Sequence, residues 1–205
     1  MVTIITLLTG YRKCGIIDEM AGRFRFDRGS LALDFTGTVG HRGSTSEERL
    51  ADRGALAVWL REAGLAPAGT PVGDDHLGAA RELREAIARA VAACVEKASP
   101  AAADLEAINA AAQWVREAAP RIEPADLTLR WSGGDAARAA LGRIAADALD
   151  LIARRRERLV RCDRESCAAF LLSSSRGAPR RWCSMERCGN VAKVAAHRAR
   201  KRAGA

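Results

Sequence analysis

The sequence predicts a mainly α protein: a multihelical N-terminal domain with a small β-hairpin or short sheet, followed by a C-terminal four-cysteine zinc finger. Three observations carry this prediction. Of the 205 residues 48% are hydrophobic but only 4% aromatic, so the apolar content is mostly Ala, Leu, Val and Ile in an Arg-rich chain, which favours helix. Apolar residues recur at helical spacing over several long stretches. Four of the six cysteines fall in the last quarter, as two short-spaced pairs. The length suits one domain, or one domain plus a small module. The 28% charged content argues against global disorder.

Residues 1–21 show no clear period and read as a flexible or non-native extension, with Cys14 a free thiol; Met20 opens what looks like a natural protein start. Phe24 and Phe26 alternate with Arg and Asp, which predicts a short half-buried strand over 23–27. Ser30 is expected to cap a helix carrying Leu31, Asp34 and Phe35, with a polar loop over 40–46. Asp52 caps a second helix whose stripe is Leu56, Trp59 and Leu60 and which ends at Gly64. After a linker over 67–73, Asp74 or Asp75 opens a long helix with Leu77, Ala80, Leu83, Ile87, Val91 and Cys94 at helical spacing, Cys94 as a core thiol.

Ser99 and Pro100 predict the next helix start, with Leu105, Ile108, Ala112 and Val115 inward and a stop before Pro120. Leu127, Leu129 and Trp131 alternate with polar residues, a strand over 126–131, followed by a turn and cap over 132–135. Leu141, Ile144, Ala148, Leu149 and Ile152 mark a last body helix running into Arg154, Arg155 and Arg156. The predicted division is an extension over 1–21, a helical domain over 22–153 and a zinc-finger module over 154–205. The helical domain is expected to fold without the tail, because it holds nearly all the periodic apolar helices.

Charge separates the two units. Residues 1–151 carry 18 Lys and Arg against 21 Asp and Glu, whereas residues 152–205 carry 15 against 4. A basic quarter on an acidic body fits a module for a polyanion, or a solvated tail. No apolar run approaches the ~20 residues that span a bilayer, and residues 2–8 lack the flanks of a secretory signal. The expected location is the cytoplasm, at the nucleoid for a DNA-binding chain.

Cys162 and Cys167 are separated by four residues, as are Cys183 and Cys188, with fifteen residues between the pairs. Two tight turns joined by a loop are what a tetrahedral ion needs, and four thiolates fill its shell, so one structural Zn2+ per chain is predicted. The competing readings are two disulfides, disfavoured in a reducing compartment, and a redox centre, which would want a Cys-x-x-Cys in a βαβ setting.

Trp182-Cys183-Ser184-Met185, then Cys188-Gly189-Asn190 and a basic helix, resembles the CGNR-type zinc finger of bacterial proteins. Leu33-Asp34-Phe35 with Thr36 and Thr38, then residues 56–60, resembles the opening of the ABATE domain that precedes that finger. The resemblance spans roughly residues 22–202 and implies a stress-induced transcription regulator with a sensor or dimerisation role for the helical domain. All four cysteines match the finger's ligands; the family's Arg after Gly-Asn is Val191 here, which bears on nucleic-acid contact and not on the metal.

In the finger, Gly189 is expected to allow a tight turn and Asn190 to cap the final helix. On that helix Lys193, His197, Arg200 and Lys201 share one face; Val191 and Val194 form a neighbouring stripe able to pack on the zinc turn, and Arg198 and Arg202 extend it. With Arg180 and Arg181 these basic residues are the candidate nucleic-acid contacts. Trp182 is either the small core of the module or a stacking platform. The leading reading is DNA binding, with a homodimer through the helical domain and an unidentified small-molecule or protein effector as further partners. The alternatives are an acidic protein partner and single-stranded RNA. Asp34, His41 and Arg42 invite a catalytic reading, but one His near a carboxylate is better explained by a structural Asp–Arg pair or a helix cap, and no enzyme activity is expected. Gly-rich phosphate loops and Gly-x-Ser-x-Gly and His-Glu-x-x-His patterns are absent.

Overall fold

The structure is a computed structural model that describes residues 24–127, 129–174 and 179–203; the expectations for residues 1–21 lie outside these. A short helix, α1 (Leu31–Thr36), is buried along nearly its whole length and packs on α3 (Asp74–Val95) and α5 (Ala136–Arg155). α2 (Arg53–Glu62) and α4 (Ala102–Ala112) complete the body, each packed against α3 and α5. Trp59 of α2 is fully buried, its ring 5.0 Å from Phe35 and 5.6 Å from Phe26. α5 approaches the turn after α4 closely because it carries Gly142: a Cβ there would stand 2.4 Å from the Val115 backbone nitrogen.

Six residues are too few to sustain a helix alone, so α1 depends on its surroundings. Ser30 stands at its N-cap but does not cap it: the Ser30 hydroxyl donates to the Asp147 carboxylate, and the same oxygen accepts from the Ala32 backbone N–H at 2.8 Å. The cap is supplied from α5. Asp52 and Asp135, by contrast, accept from Ala55 and Arg138 N–H and cap α2 and α5 locally.

Three antiparallel two-stranded sheets decorate the helices: β1 (Val39–Gly40) with β2 (Glu47–Glu48), β3 (Ala118–Ile122) with β4 (Leu129–Gly133), and β5 (Leu159–Arg161) with β6 (Phe170–Leu172). Some expectations need correction. Residues 24–27 are not a strand; Phe24 and Phe26 pack on the core from an irregular segment. α4 begins at Ala102, later than Ser99 and Pro100 suggest, and its inward face is Asp104, Ile108 and Ala111. Asp104 is buried and takes the Arg89 guanidinium of α3 (2.6 and 3.0 Å), while Val115 falls in the turn after α4 and is 40% exposed. Leu127 sits in the turn before β4 at φ +55 and is 77% exposed, so the strand begins two residues later. The helix does stop before Pro120, as expected, and Pro120 itself lies inside β3.

The core does not end with α5. Leu159 and Phe170 are buried in the same cluster as the helical body, with β5 packed on α3 and β6 on α1. Leu171, on the opposite face of the hairpin, is fully buried with Ala169, Cys162 and Cys188. The strand alternation makes β5–β6 a wedge, one face to the body and the other to the cysteines.

Candidate metal centre and basic helix

The hairpin places the first cysteine pair. Cys162 follows β5 and donates its backbone N–H to Ala169 O at 2.8 Å; Cys167 closes a turn onto Arg164 O at 2.9 Å. The second pair lies on a tight π turn, Met185–Gly189, preceded by Cys183. The four sulfurs lie within 4.8 Å of one another, with Cys162 and Cys188 buried and Cys167 and Cys183 half-buried. Cys167 and Cys183 Sγ are 3.7 Å apart and Cys183 and Cys188 Sγ 3.3 Å apart. A disulfide holds its sulfurs at about 2.05 Å. A tetrahedron with Zn–S of ~2.3 Å has edges of about 3.8 Å, so the spacing fits a single Zn2+.

Four thiols this close cannot all ionise unaided. Hydrogen bonds from Cys162 and Cys183 hold the Cys167 thiol well below the usual thiol range, while Cys183, facing Cys162 and Cys167, is pushed up. A divalent cation removes the conflict by balancing two of the four charges. With no open position the ion is structural: it ties two turns that have little core of their own.

Arg180 holds the second turn. Its guanidinium donates to the carbonyls of Asp27 (2.8 Å), Trp182 (3.1 Å) and Cys183 (2.5 Å), so this candidate nucleic-acid contact is engaged inside the protein. Arg181 is exposed, paired with Asp163 at 2.6 Å, and stacks over Trp182 at 5.1 Å. Trp182 is half-buried against the cysteine cluster.

The turn runs straight into α6 (Asn190–Ala203). Asn190 does not cap α6; it has helical φ −64 and ψ −43 and its Nδ2 donates to Glu186 O, because the π turn has already wound the chain from Ser184. Gly189 is likewise helical and buried, and a Cβ on it would meet Met185 Sδ at 3.0 Å. Val191 and Val194 are not covered by the zinc turn: they are 47% and 48% exposed, since the main contact of α6 among the described residues is with the turn it continues. Lys193, His197, Arg198, Arg200 and Lys201 are exposed, with no ion pair or hydrogen bond from their side chains among the described residues. Arg202 follows in sequence on the same helix.

In the body, Asp34 is buried and accepts from the Arg28 backbone N–H at 2.9 Å, and Arg42 pairs bidentately with Glu85 at 2.8 and 3.0 Å. The expected Asp–Arg association is therefore between Asp34 and Arg28, by the backbone.

A family model described as "Putative stress-induced transcription regulator", the ABATE domain, matches residues 29–155, well over half of the chain. The chain belongs to the ABATE family. The CGNR zinc finger matches residues 158–201 of this ABATE protein, which takes in all four clustered cysteines. Neither description is that of an enzyme. No curated protein is significantly similar to the chain. No helix among the described residues is long and apolar enough to cross a membrane. Sequence reasoning missed Arg28, Arg164 and Arg187 of the ABATE protein, which converge beside the cysteines from separate segments; no spacing in the sequence signals that convergence.

Proposed function

We propose that this ABATE–CGNR protein is a DNA-binding transcription regulator whose zinc-tied turns present α6 to duplex DNA. The observation that supports the reading best is α6 itself: a basic helix exposed along almost its whole length, with its main contact at the zinc end and with Lys193, His197, Arg198, Arg200 and Lys201 free of internal partners among the described residues. Lys193, His197, Arg200 and Lys201 on one face, with Arg198 and Arg202 beside them, would meet phosphates, and an Arg would read a guanine edge. Arg181 flanks the same end. One helix makes few contacts, so we infer two copies per site, joined through the helical domain.

The test is binding of the zinc-loaded chain to duplex DNA across a salt series. With five or six phosphates neutralised, log K falls against log salt with a slope of roughly −4.5 to −5.5. Replacing Arg198, Arg200, Lys201 and Arg202 with Ala abolishes binding; unchanged affinity would overturn the docking. Val191→Arg is expected to tighten it. The exposure of Val191 and Val194 favours a second reading, in which α6 lays its apolar stripe on an acidic protein partner. That reading predicts little affinity for random duplex. Single-stranded RNA is the weaker fit, because Trp182 is half-buried against the cysteine cluster instead of free to stack.

A further inference from the structure

Between the helical body and the two zinc turns lies a cavity of about 50 Å³. By the same measure one water takes ~10–15 Å³, so the space suits a few waters or one small oxyanion. Its walls are strongly basic: Arg25, Arg28, Arg42, Arg49, Arg164 and Arg187, with His41 beside them. Among the described residues Asp27 is the one carboxylate in the lining, held by Arg25 at 2.5 Å, and Cys167, Cys183 and Cys188 of the metal site form another part of the wall. Glu85 and Glu47, behind the wall, balance Arg42 and Arg49.

Three cations of the lining make no salt bridge among the described residues: Arg28, Arg164 and Arg187; Asp34 and Asp27 act on Arg28, and Glu47 on Arg187, only from beyond contact. Arg28 is the most telling. It is only 8% exposed, and its guanidinium has no hydrogen bond or ion pair among the described residues. Gly37 makes room for it, since a Cβ there would stand 2.4 Å from Arg28 Cζ. Arg42 Nε is also buried without a partner among the described residues. Arg164 donates one nitrogen to Ser166 Oγ at 2.9 Å, leaving the rest of its fork. A zinc ion on four thiolates carries two net negative charges nearby, which offsets part of this excess and leaves it positive. A buried guanidinium with an unused planar fork is what bidentate oxyanion recognition needs.

We propose that this cavity binds a small oxyanion of the phosphate type, held by Arg28 and Arg42 from the body and by Arg164 and Arg187 from the two zinc turns. The site does not depend on α6 touching DNA. Its occupant bridges the two family regions. The loop over 41–46 already rests on the first zinc turn, where a Cβ on Gly43 would fall 1.7 Å from Glu165 O and Ser44 Oγ donates to Ser166 O at 3.3 Å. The turn that carries Arg187 continues into α6, so filling the cavity fixes how that helix leaves the body.

The experiment titrates inorganic phosphate into the full zinc-loaded chain by calorimetry, with ionic strength held constant by chloride. Saturable binding at one site per chain is expected. Arg164→Gln and Arg187→Gln, both on the turns and not in the body core, each weaken it by about tenfold or more. Lys201→Gln, out on α6, leaves it unchanged, and zinc content is measured on every variant. Arg28→Gln is expected to abolish binding, and the two turn variants decide the matter if that chain does not fold. Absence of saturation, or equal weakening by Lys201→Gln, would overturn the site. A short duplex added to the phosphate-loaded chain separates two sources of the same chemistry. Displacement of phosphate identifies a DNA backbone phosphate, and simultaneous binding identifies a free small oxyanion; either outcome upholds the site. The Arg198, Arg200, Lys201 and Arg202 quadruple variant keeps phosphate binding even where DNA affinity is lost, which separates this inference from the DNA reading.

Discussion

Arg180 donates to the backbone carbonyl of Asp27 at 2.8 Å, joining the second zinc turn to the segment that enters α1. The same fork holds the Trp182 and Cys183 carbonyls, so one side chain fixes the turn and its place on the body. Arg180→Ala leaves these acceptors short of a charged donor and is expected to cost about 2–3 kcal/mol. Arg181→Ala removes an exposed pair with Asp163 and a contact over the Trp182 ring, each worth under ~1 kcal/mol. Urea melts of the two variants should separate them; equal, small losses would show that Arg180 is not a clamp.

Ending the chain at Ala153 removes Leu159 and Phe170 from the body core. At ~1.5–3 kcal/mol for each large apolar side chain, the truncated body loses roughly 3–6 kcal/mol. That is a large share of a domain's ~5–15 kcal/mol. A chain ending at Ala153 should melt early and with low cooperativity, against the expectation from helix periodicity alone. A sharp melt at the full-length temperature would show that the hairpin is dispensable.

Metal analysis of chain purified without added zinc should give close to one equivalent. Cys167→Ser is expected to lose it, and chelation should release it with loss of the fold over 160–190. The outer face of the hairpin, Leu171 above all, then loses its cover, since Cys162 and Cys188 are what bury it. Helix content from α3 and α5 should survive. Retention of a full equivalent by Cys167→Ser would remove that cysteine from the ligand set.

Asp34 is the group whose titration stability should feel. Burial pushes its carboxyl up to about 7, against the pull of the Arg28 N–H. The folded state therefore keeps a proton that the unfolded chain releases near pH ~4. Stability attributable to Asp34 is full below that pH and is lost as pH rises to about 7. Asp34→Asn does not titrate. Between pH ~4 and ~7 the difference in unfolding free energy should therefore move in favour of the Asp34→Asn variant. Parallel curves for the two chains would refute the assignment.

The parts of this fold legible in the sequence are those set by neighbours along the chain. Asp52 and Asp135 cap the helices they precede, the α3 stripe from Leu77 to Val91 faces the core, and the cysteine pairs mark the metal site. What escaped depends on partners far away. Ser30 looks like a cap, yet α1 is capped by Asp147, and nothing local announces that exchange. Asp104 looks like a surface residue until Arg89 is known to lie opposite. Arg180 reads as one more cation in a basic run, while its acceptors lie on another segment. Arg28, Arg164 and Arg187 come together only in the folded chain, where β6 holds the Arg28 segment through the Leu172 N–H to the Arg28 carbonyl.

α6 is a helix of 14 residues whose main contact with the described residues is at its zinc end. That length is close to the ~12–15 residues at which a helix in water is marginal. Its persistence rests on intrinsic propensity, supplied by Ala192, Ala195, Ala196 and Ala199, with a first turn fixed by the metal as nucleus. On the proposed reading of α6 as a DNA-docking helix, holding the far turns wound and engaging the target become one thermodynamic event. Substitutions such as Ala196→Gly would weaken recognition without removing a single contact, by taxing the coil-to-helix step that binding must complete.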